Sequence, residues 1–141
     1  MKATLLYRIA AVVFILFAVG HTVGFLKFTA PNADGAAVFA SMNSVRLQVG
    51  NGKLTYGDFY RGLGLFCTLY LLFCAYLAWY LAGLAQHNPQ AIGSLGWVFF
   101  VLQLASIVVS WVYLLPPPII LSAILAICTG WAAWLAKATA R

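Results

Sequence analysis

The residues best suited to chemistry lie at the end of one apolar segment and at the start of the next. His21 lies inside a segment rich in Phe, Val, Ile and Leu, and Asp58, Tyr60 and Arg61 open the segment that follows. An ionisable side chain inside an apolar span is costly without a partner, so it marks a candidate functional site. We therefore take His21, Asp58 and Arg61 as candidate catalytic residues and Tyr60 as a candidate ligand contact.

These residues allow a specific chemistry. Asp58 and Arg61 are three positions apart, which lets them pair on one helix face. Arg61 could hold an anionic headgroup or a carbonyl, while Asp58 orients Arg61 or His21. A histidine held by a carboxylate is the arrangement of a general base. The alternatives stay open: the pair can be an acid placed at the positive end of a helix dipole, and His21 can be a structural residue bonded to a carbonyl or hydroxyl, or a metal ligand.

His21 should face the bundle interior. It lies roughly 9 Å deeper in the apolar span than Lys27, at 1.5 Å per residue. Lipid offers no hydrogen-bond partner at that depth. We predict a polar partner on the second or third span, and the side chains nearest in expected depth are Asp58, Arg61, Ser110 and Tyr113.

A polar stripe runs along the third apolar segment. Its members recur at helical spacing and share a stripe about 80° wide; they are Gln103, Ser106, Ser110 and Tyr113. A polar stripe on an apolar helix should face the interior of a bundle, and we take these four as candidate ligand-binding residues. The alternative is that their side chains join helices by hydrogen bonds.

Composition places the chain in lipid. Of its residues 65% are hydrophobic and 7% charged, whereas soluble domains carry about 25% charged residues. Asp34 and Asp58 are the only carboxylate side chains, which excludes a paired-glutamate metal site. A lone imidazole also lacks the ligand count of a metal centre, so we expect no metal and no cofactor. No basic stripe exists for nucleic-acid phosphates to follow, so we expect no nucleic-acid partner.

Four apolar segments are long enough to cross a hydrocarbon core of about 30 Å. They are residues 5–28, 59–84, 92–115 and 116–136, the last starting within the triplet of prolines. The fold class is therefore an all-α integral membrane protein, a four-transmembrane-helix bundle that forms a single domain over residues 1–141. The three cysteines lie inside these segments, which indicates helix packing rather than disulfides.

A short amphipathic helix is predicted between the first two spans. Apolar residues recur at helical spacing over about residues 35–49, with polar residues between them. Asp34 is placed to cap its first turn. The segment Gly50-Asn51-Gly52-Lys53 should end it as a turn.

The sequence also bears on location and partners. An even number of spans puts both termini on one side of the membrane. We expect that side to be cytoplasmic, in a bacterial inner membrane, because Asp34 and Asp58 both lie on the other side. The excess of basic residues near segment ends suits anionic membrane lipids. Small residues on the helices favour assembly as a homodimer or homotrimer.

Two resemblances support the architecture. The motif Gly20-His21-Thr22-x-Gly24, a short helix containing Met42, and the run from Asp58 to Leu65 resemble a family of small, uncharacterised bacterial four-span proteins. The first span, from Tyr7 to Lys27, more weakly resembles DoxX-like membrane proteins. Both resemblances imply a helical membrane protein, and neither implies an activity.

These observations favour a small multi-pass membrane protein that binds a small apolar or lipid-like molecule at a polar pocket near one membrane face. Chemical transformation of that molecule stays open, so the sequence does not decide whether the protein is an enzyme. The alternative is a non-catalytic scaffold or assembly subunit whose polar groups only join helices. A small transporter is the weaker alternative, because His21 and Asp58 alone could form an ionisable relay.

Overall fold

The computed structural model describes residues 2–49 and 52–139, and in this part of the chain the secondary structure is helical apart from one short β-bridge. Four helices are long and apolar enough to cross a membrane. The helices, in order, are α1 (Lys2–Leu26), α2 (Ala33–Ser44), α3 (Tyr56–His87), a 3₁₀ helix (Pro89–Ile92), α4 (Leu95–Tyr113) and α5 (Pro116–Thr139). The prediction of four spans with a short helix between the first two is confirmed.

The helix ends follow local chemistry. The side chain of Asn32 accepts a hydrogen bond from the Gly35 N–H, so Asn32 is the N-cap of α2. The prediction that Asp34 is the cap was wrong by two residues: Asp34 lies in the first helical turn, where its charge suits the helix dipole. Helix α5 begins at Pro116, as expected of a residue whose missing N–H is not needed there.

Helix α2 is shorter than predicted because the chain after it pairs with itself. The Leu47 N–H donates to the Leu54 carbonyl at 2.8 Å, and the Tyr56 N–H donates to the Val45 carbonyl at 3.2 Å. These bonds flank an antiparallel bridge and stop the helix at Ser44. Of the predicted turn, Gly50 and Asn51 lie outside the described residues. Gly52 has φ +63°, a conformation that favours glycine.

The chain divides into two compact units. The larger unit consists of Met1–Phe17 and Leu71–Arg141, and the smaller unit is Ala18–Tyr70. Helices α1 and α3 each contribute one part to each unit. The candidate residues divide accordingly, with His21, Asp58, Tyr60 and Arg61 in the smaller unit and the α4 stripe in the larger one.

Packing in the larger unit is close. Phe14 of α1 stacks on Phe99 of α4 with ring centroids 5.6 Å apart, and both rings are buried. A Cβ on Gly96 would lie 2.8 Å from the Tyr7 hydroxyl and 3.2 Å from the Ala133 Cβ, so this glycine lets α1, α4 and α5 approach. One face of α5 consists of small residues and is buried; it comprises Ser122, Ala126, Thr129 and Ala133. Cys74 and Cys128 are also buried, whereas Cys67 is exposed.

Candidate functional site

His21 is held by the backbone of α3. Its Nε2 lies 3.0 Å from the Gly64 carbonyl oxygen. Since a carbonyl can only accept, Nε2 must carry the proton. With Nε2 protonated, a neutral imidazole has its lone pair on Nδ1. The predicted second-span partner for His21 is present, but it is a backbone carbonyl rather than the side chain of Asp58 or Arg61.

Two threonines beside His21 join the same helices. The Thr22 hydroxyl lies 2.7 Å from the Ala18 carbonyl and 2.8 Å from the Thr68 hydroxyl, and Thr68 lies 3.3 Å from the Gly64 carbonyl. Two hydroxyl protons cannot fill three such contacts. The shorter distances assign the Thr22 proton to Ala18 and the Thr68 proton to Thr22, which leaves the Gly64 carbonyl to the proton of His21.

Asp58 and Arg61 do meet, at the start of α3. Asp58 Oδ2 accepts from the backbone N–H of Thr55 at 3.0 Å and from its hydroxyl at 2.8 Å. The Asp58 N–H donates to the Thr55 hydroxyl in return at 3.1 Å. Arg61 Nη1 lies 3.6 Å from Asp58 Oδ1, and Nη2 donates to Asn43 at 3.0 Å. Thr55 and Asp58 therefore form a reciprocal capping box at the start of α3, and the guanidinium links α3 to α2.

Tyr60 belongs to a line of aromatic rings. The ring of His21 stacks on Phe25 at 5.8 Å, and Phe25 contacts Tyr60 at 5.3 Å. Phe39 of α2 contacts Tyr60 at 6.4 Å and Phe28 at 5.4 Å. Five rings thus connect three helices of the smaller unit, and the ring of Tyr60 contributes to packing there.

The α4 stripe is partly internal. Gln103 is 2% exposed and Ser110 is 4% exposed. Ser106 is half-buried, and its hydroxyl donates to the Leu102 carbonyl of its own helix at 2.9 Å. Tyr113 is 79% exposed, so the prediction that it faces the interior was wrong. It lies at the last position of α4, where its ring turns outward.

Gln103 differs from the residues of the smaller unit in lacking a partner. Its Nε2 is buried and has no hydrogen-bond partner among the described residues. Thr4 Oγ1 and Tyr7 Oη share this property. Sequence reasoning missed Thr4 and Tyr7, although both are polar residues beside Lys2 and Arg8 in the first turns of an apolar span. Thr4 and Tyr7 lie three positions apart, a spacing that places both on one face of a helix and could have identified them.

Residues 2–49 and 52–139 contain no group of three or more His, Cys, Asp or Glu side chains that could hold a metal ion. The buried polar atoms without partners, Thr4 Oγ1, Tyr7 Oη and Gln103 Nε2, could donate hydrogen bonds to a bound molecule, and Nδ1 of a neutral His21 could accept a proton. No protein-family model, curated protein or solved structure matches this chain.

Proposed function

We propose that this membrane protein binds an amphipathic, lipid-like molecule. The side-chain N–H of Gln103 donates a hydrogen bond to an acceptor atom of that molecule. The observation that carries the proposal is the missing hydrogen-bond partner of this side chain. It is almost fully buried, it lies in the middle of an apolar helix, and its Nε2 has no partner in the described chain. We place the protein in a bacterial inner membrane with both termini cytoplasmic.

The energetic argument is direct. A buried polar group without a partner costs about 1–3 kcal/mol, and hydrocarbon supplies no replacement for water. A carbonyl, ether or hydroxyl oxygen of a bound molecule would recover that cost. Ser110 is buried two helical turns further along the same α4 stripe, so it could contact a second polar atom of the same molecule.

The smaller unit supports binding more than catalysis. Asp58 is occupied by Thr55 and Arg61, and His21 donates through Nε2 to a carbonyl. A general base needs a lone pair within reach of a proton, and His21 retains one on Nδ1. His21 is therefore the residue that would act as base if the bound molecule is transformed, while Asp58 and Arg61 fix the start of α3.

The proposal is tested with the Gln103→Leu variant. Leu is similar in size and removes the amide. The full-length protein is purified in mild detergent, and the retained molecules are identified by native mass spectrometry and by organic extraction. We expect wild type to retain a lipid-like molecule and Gln103→Leu to lose it. After lipid removal, we expect the variant to be more stable than wild type by about 1–3 kcal/mol, because the buried amide is gone.

Ser106→Ala is the matched control. Ser106 lies on the same helix, and its hydroxyl is already bonded to Leu102. We expect Ser106→Ala to retain the molecule at the level of wild type. Equal retention by Gln103→Leu and wild type would contradict the proposal.

A second candidate function is a non-catalytic scaffold. The polar groups around His21, Thr22, Asp58 and Arg61 bond to each other or to backbone, as expected of groups that only join helices. This candidate predicts that wild type and Gln103→Leu emerge from purification equally free of bound molecules.

A further inference from the structure

A basic cavity lies where α1 begins and α3 ends. It has a volume of about 530 Å³ and is lined by Lys2, Thr4, Leu5, Arg8 and Gln86. All five residues belong to the larger unit. The volume falls within the range of small-molecule sites, about 300–1,000 Å³.

We propose that this cavity binds the phosphate of an anionic phospholipid headgroup, as a site separate from Gln103. Lys2 and Arg8 supply two positive charges. The chain has two acidic side chains, Asp34 and Asp58, and both lie in the smaller unit. The larger unit therefore contains no acidic side chain that could neutralise this pair of cations, which favours binding of an anion.

Thr4 gives the cavity a hydrogen-bond donor. Its side chain is 7% exposed, and its hydroxyl has no partner among the described residues. Hydroxyls deeper in the helices donate to the carbonyl one turn earlier, as Thr129 does to Leu125 at 2.8 Å. Thr4 lies in the first turn of α1, where no complete turn precedes it. Its proton is thus available to a phosphate oxygen.

The start of α1 adds to the attraction. The first N–H groups of a helix have no partner within the helix, and the helix dipole places partial positive charge there. This 25-residue helix has no acidic residue in its first turn. Cations, helix terminus and Thr4 hydroxyl thus all favour a negative charge at one place.

Arg8 is held in a position suited to a membrane surface. Its guanidinium carbon lies 5.7 Å from the centre of the Trp79 ring, a cation–π distance. Trp79 is 59% exposed, and tryptophan favours the level of the headgroups. Leu5 provides an apolar contact for the acyl chain of the lipid. A lipid phosphate, rather than free phosphate, uses both the charged and the apolar parts of this site.

Native mass spectrometry of the delipidated, full-length protein in neutral detergent tests the proposal. Phosphatidylglycerol and phosphatidylcholine serve as probes at equal concentration. We expect wild type to prefer phosphatidylglycerol, and Lys2→Gln/Arg8→Gln to lose roughly thirtyfold in affinity for it, at about 1 kcal/mol per basic residue near a membrane surface. Thr4→Val should lose about tenfold, because one hydrogen bond to a charged group is removed without a change in net charge.

Lys27→Gln/Lys137→Gln is the matched control, since it removes the same number of positive charges elsewhere. We expect it to keep the affinity of wild type for phosphatidylglycerol. Equal losses in the two double variants would overturn the proposal in favour of general electrostatic attraction. Inorganic phosphate is a further arm: if it displaces phosphatidylglycerol at comparable concentration, the site is one for soluble anions and the proposal is overturned.

Discussion

The two units of this protein differ in whether their polar side chains have hydrogen-bond partners. In the smaller unit the polar side chains around His21 and Asp58 are paired, while little is buried: Ala18 and Gly57 are the buried residues among those described. In the larger unit the core is close-packed, yet Thr4, Tyr7 and Gln103 carry buried polar atoms without partners. Hydrogen bonds and ring contacts therefore hold the smaller unit, whereas apolar packing holds the larger one.

This difference teaches how a polar residue in a membrane helix should be interpreted. His21 is the most conspicuous polar residue of the first span, but the Gly64 carbonyl accounts for it structurally. Gln103 is chemically plainer, and its buried Nε2 has no hydrogen-bond partner among the described residues. Because lipid cannot compensate a missing hydrogen bond, pairing state separates residues that join helices from residues available to a ligand.

The comparison is tested most strongly by adding one methyl group at a helix contact in each unit. In Gly96→Ala the new Cβ would lie 2.8 Å from the Tyr7 hydroxyl, 2.9 Å from Ile92 and 3.2 Å from Ala133. These neighbours come from several elements, and Tyr7 is fully buried. We expect a loss of about 1–3 kcal/mol in free energy of unfolding, the usual cost of overpacking, measured by denaturant titration in detergent.

Gly64→Ala is the counterpart in the smaller unit. Its Cβ would meet the far end of the Phe25 ring, and Phe25 is only half-buried, so the ring can move aside at the cost of its contacts with His21 and Tyr60. We expect a smaller loss than for Gly96→Ala. Gly83→Ala is the control, since its Cβ would meet nothing within 4 Å; it should be neutral or stabilising, because Ala is the better helix former. A larger loss at Gly64 than at Gly96 would reverse the comparison.

The sequence allowed the helical architecture to be predicted because hydropathy and segment length are strong, local signals. The four spans and the short helix before Tyr56 were expected on these grounds. The early end of α2 was not, since it depends on the pairing of Val45 with Tyr56. The sequence therefore misplaced the last residue of α2. It also misplaced the N-cap, which is Asn32 and not Asp34.

The candidate site was less predictable, because partners are chosen by three-dimensional proximity. The expected depth of His21 in the membrane correctly predicted a partner on α3. Depth alone cannot distinguish a side-chain partner from a backbone carbonyl. Helical periodicity correctly predicted that Gln103 and Ser110 are buried. It failed for Tyr113 at the end of α4, where the helix stops and a bulky residue can turn outward.

The next test removes the imidazole. His21→Phe keeps a ring that can stack on Phe25 but removes the bond to Gly64. We expect a loss of about 1 kcal/mol in free energy of unfolding, with unchanged retention of the molecule held at Gln103. His87→Phe is the control, since His87 is exposed at the end of α3, and it should leave stability unchanged.

The outcome assigns His21 to one of two roles. A loss of stability with binding preserved would assign it to structure, as the comparison of the units requires. Unchanged stability with loss of the bound molecule or of its turnover would assign it to a functional site and would remove the contrast between His21 and Gln103.

The smallest expected effect is the coupling between Thr22 and Thr68, a hydroxyl pair that joins α1 to α3. Thr22→Val and Thr68→Val each break the bond between the two hydroxyls, and the double variant breaks it once. Hydrogen bonds between membrane helices contribute about 0.6 kcal/mol on average. The two single losses should therefore exceed the double loss by about that amount in a double-mutant cycle of unfolding free energies. Ser41→Ala combined with Thr68→Val is the control, because the Ser41 hydroxyl donates within its own helix to Ala37, and these two losses should add. If the Thr22 and Thr68 losses also add, the bond between these two hydroxyls does not hold α1 to α3, and the bond from His21 to Gly64 and the ring contacts must do so.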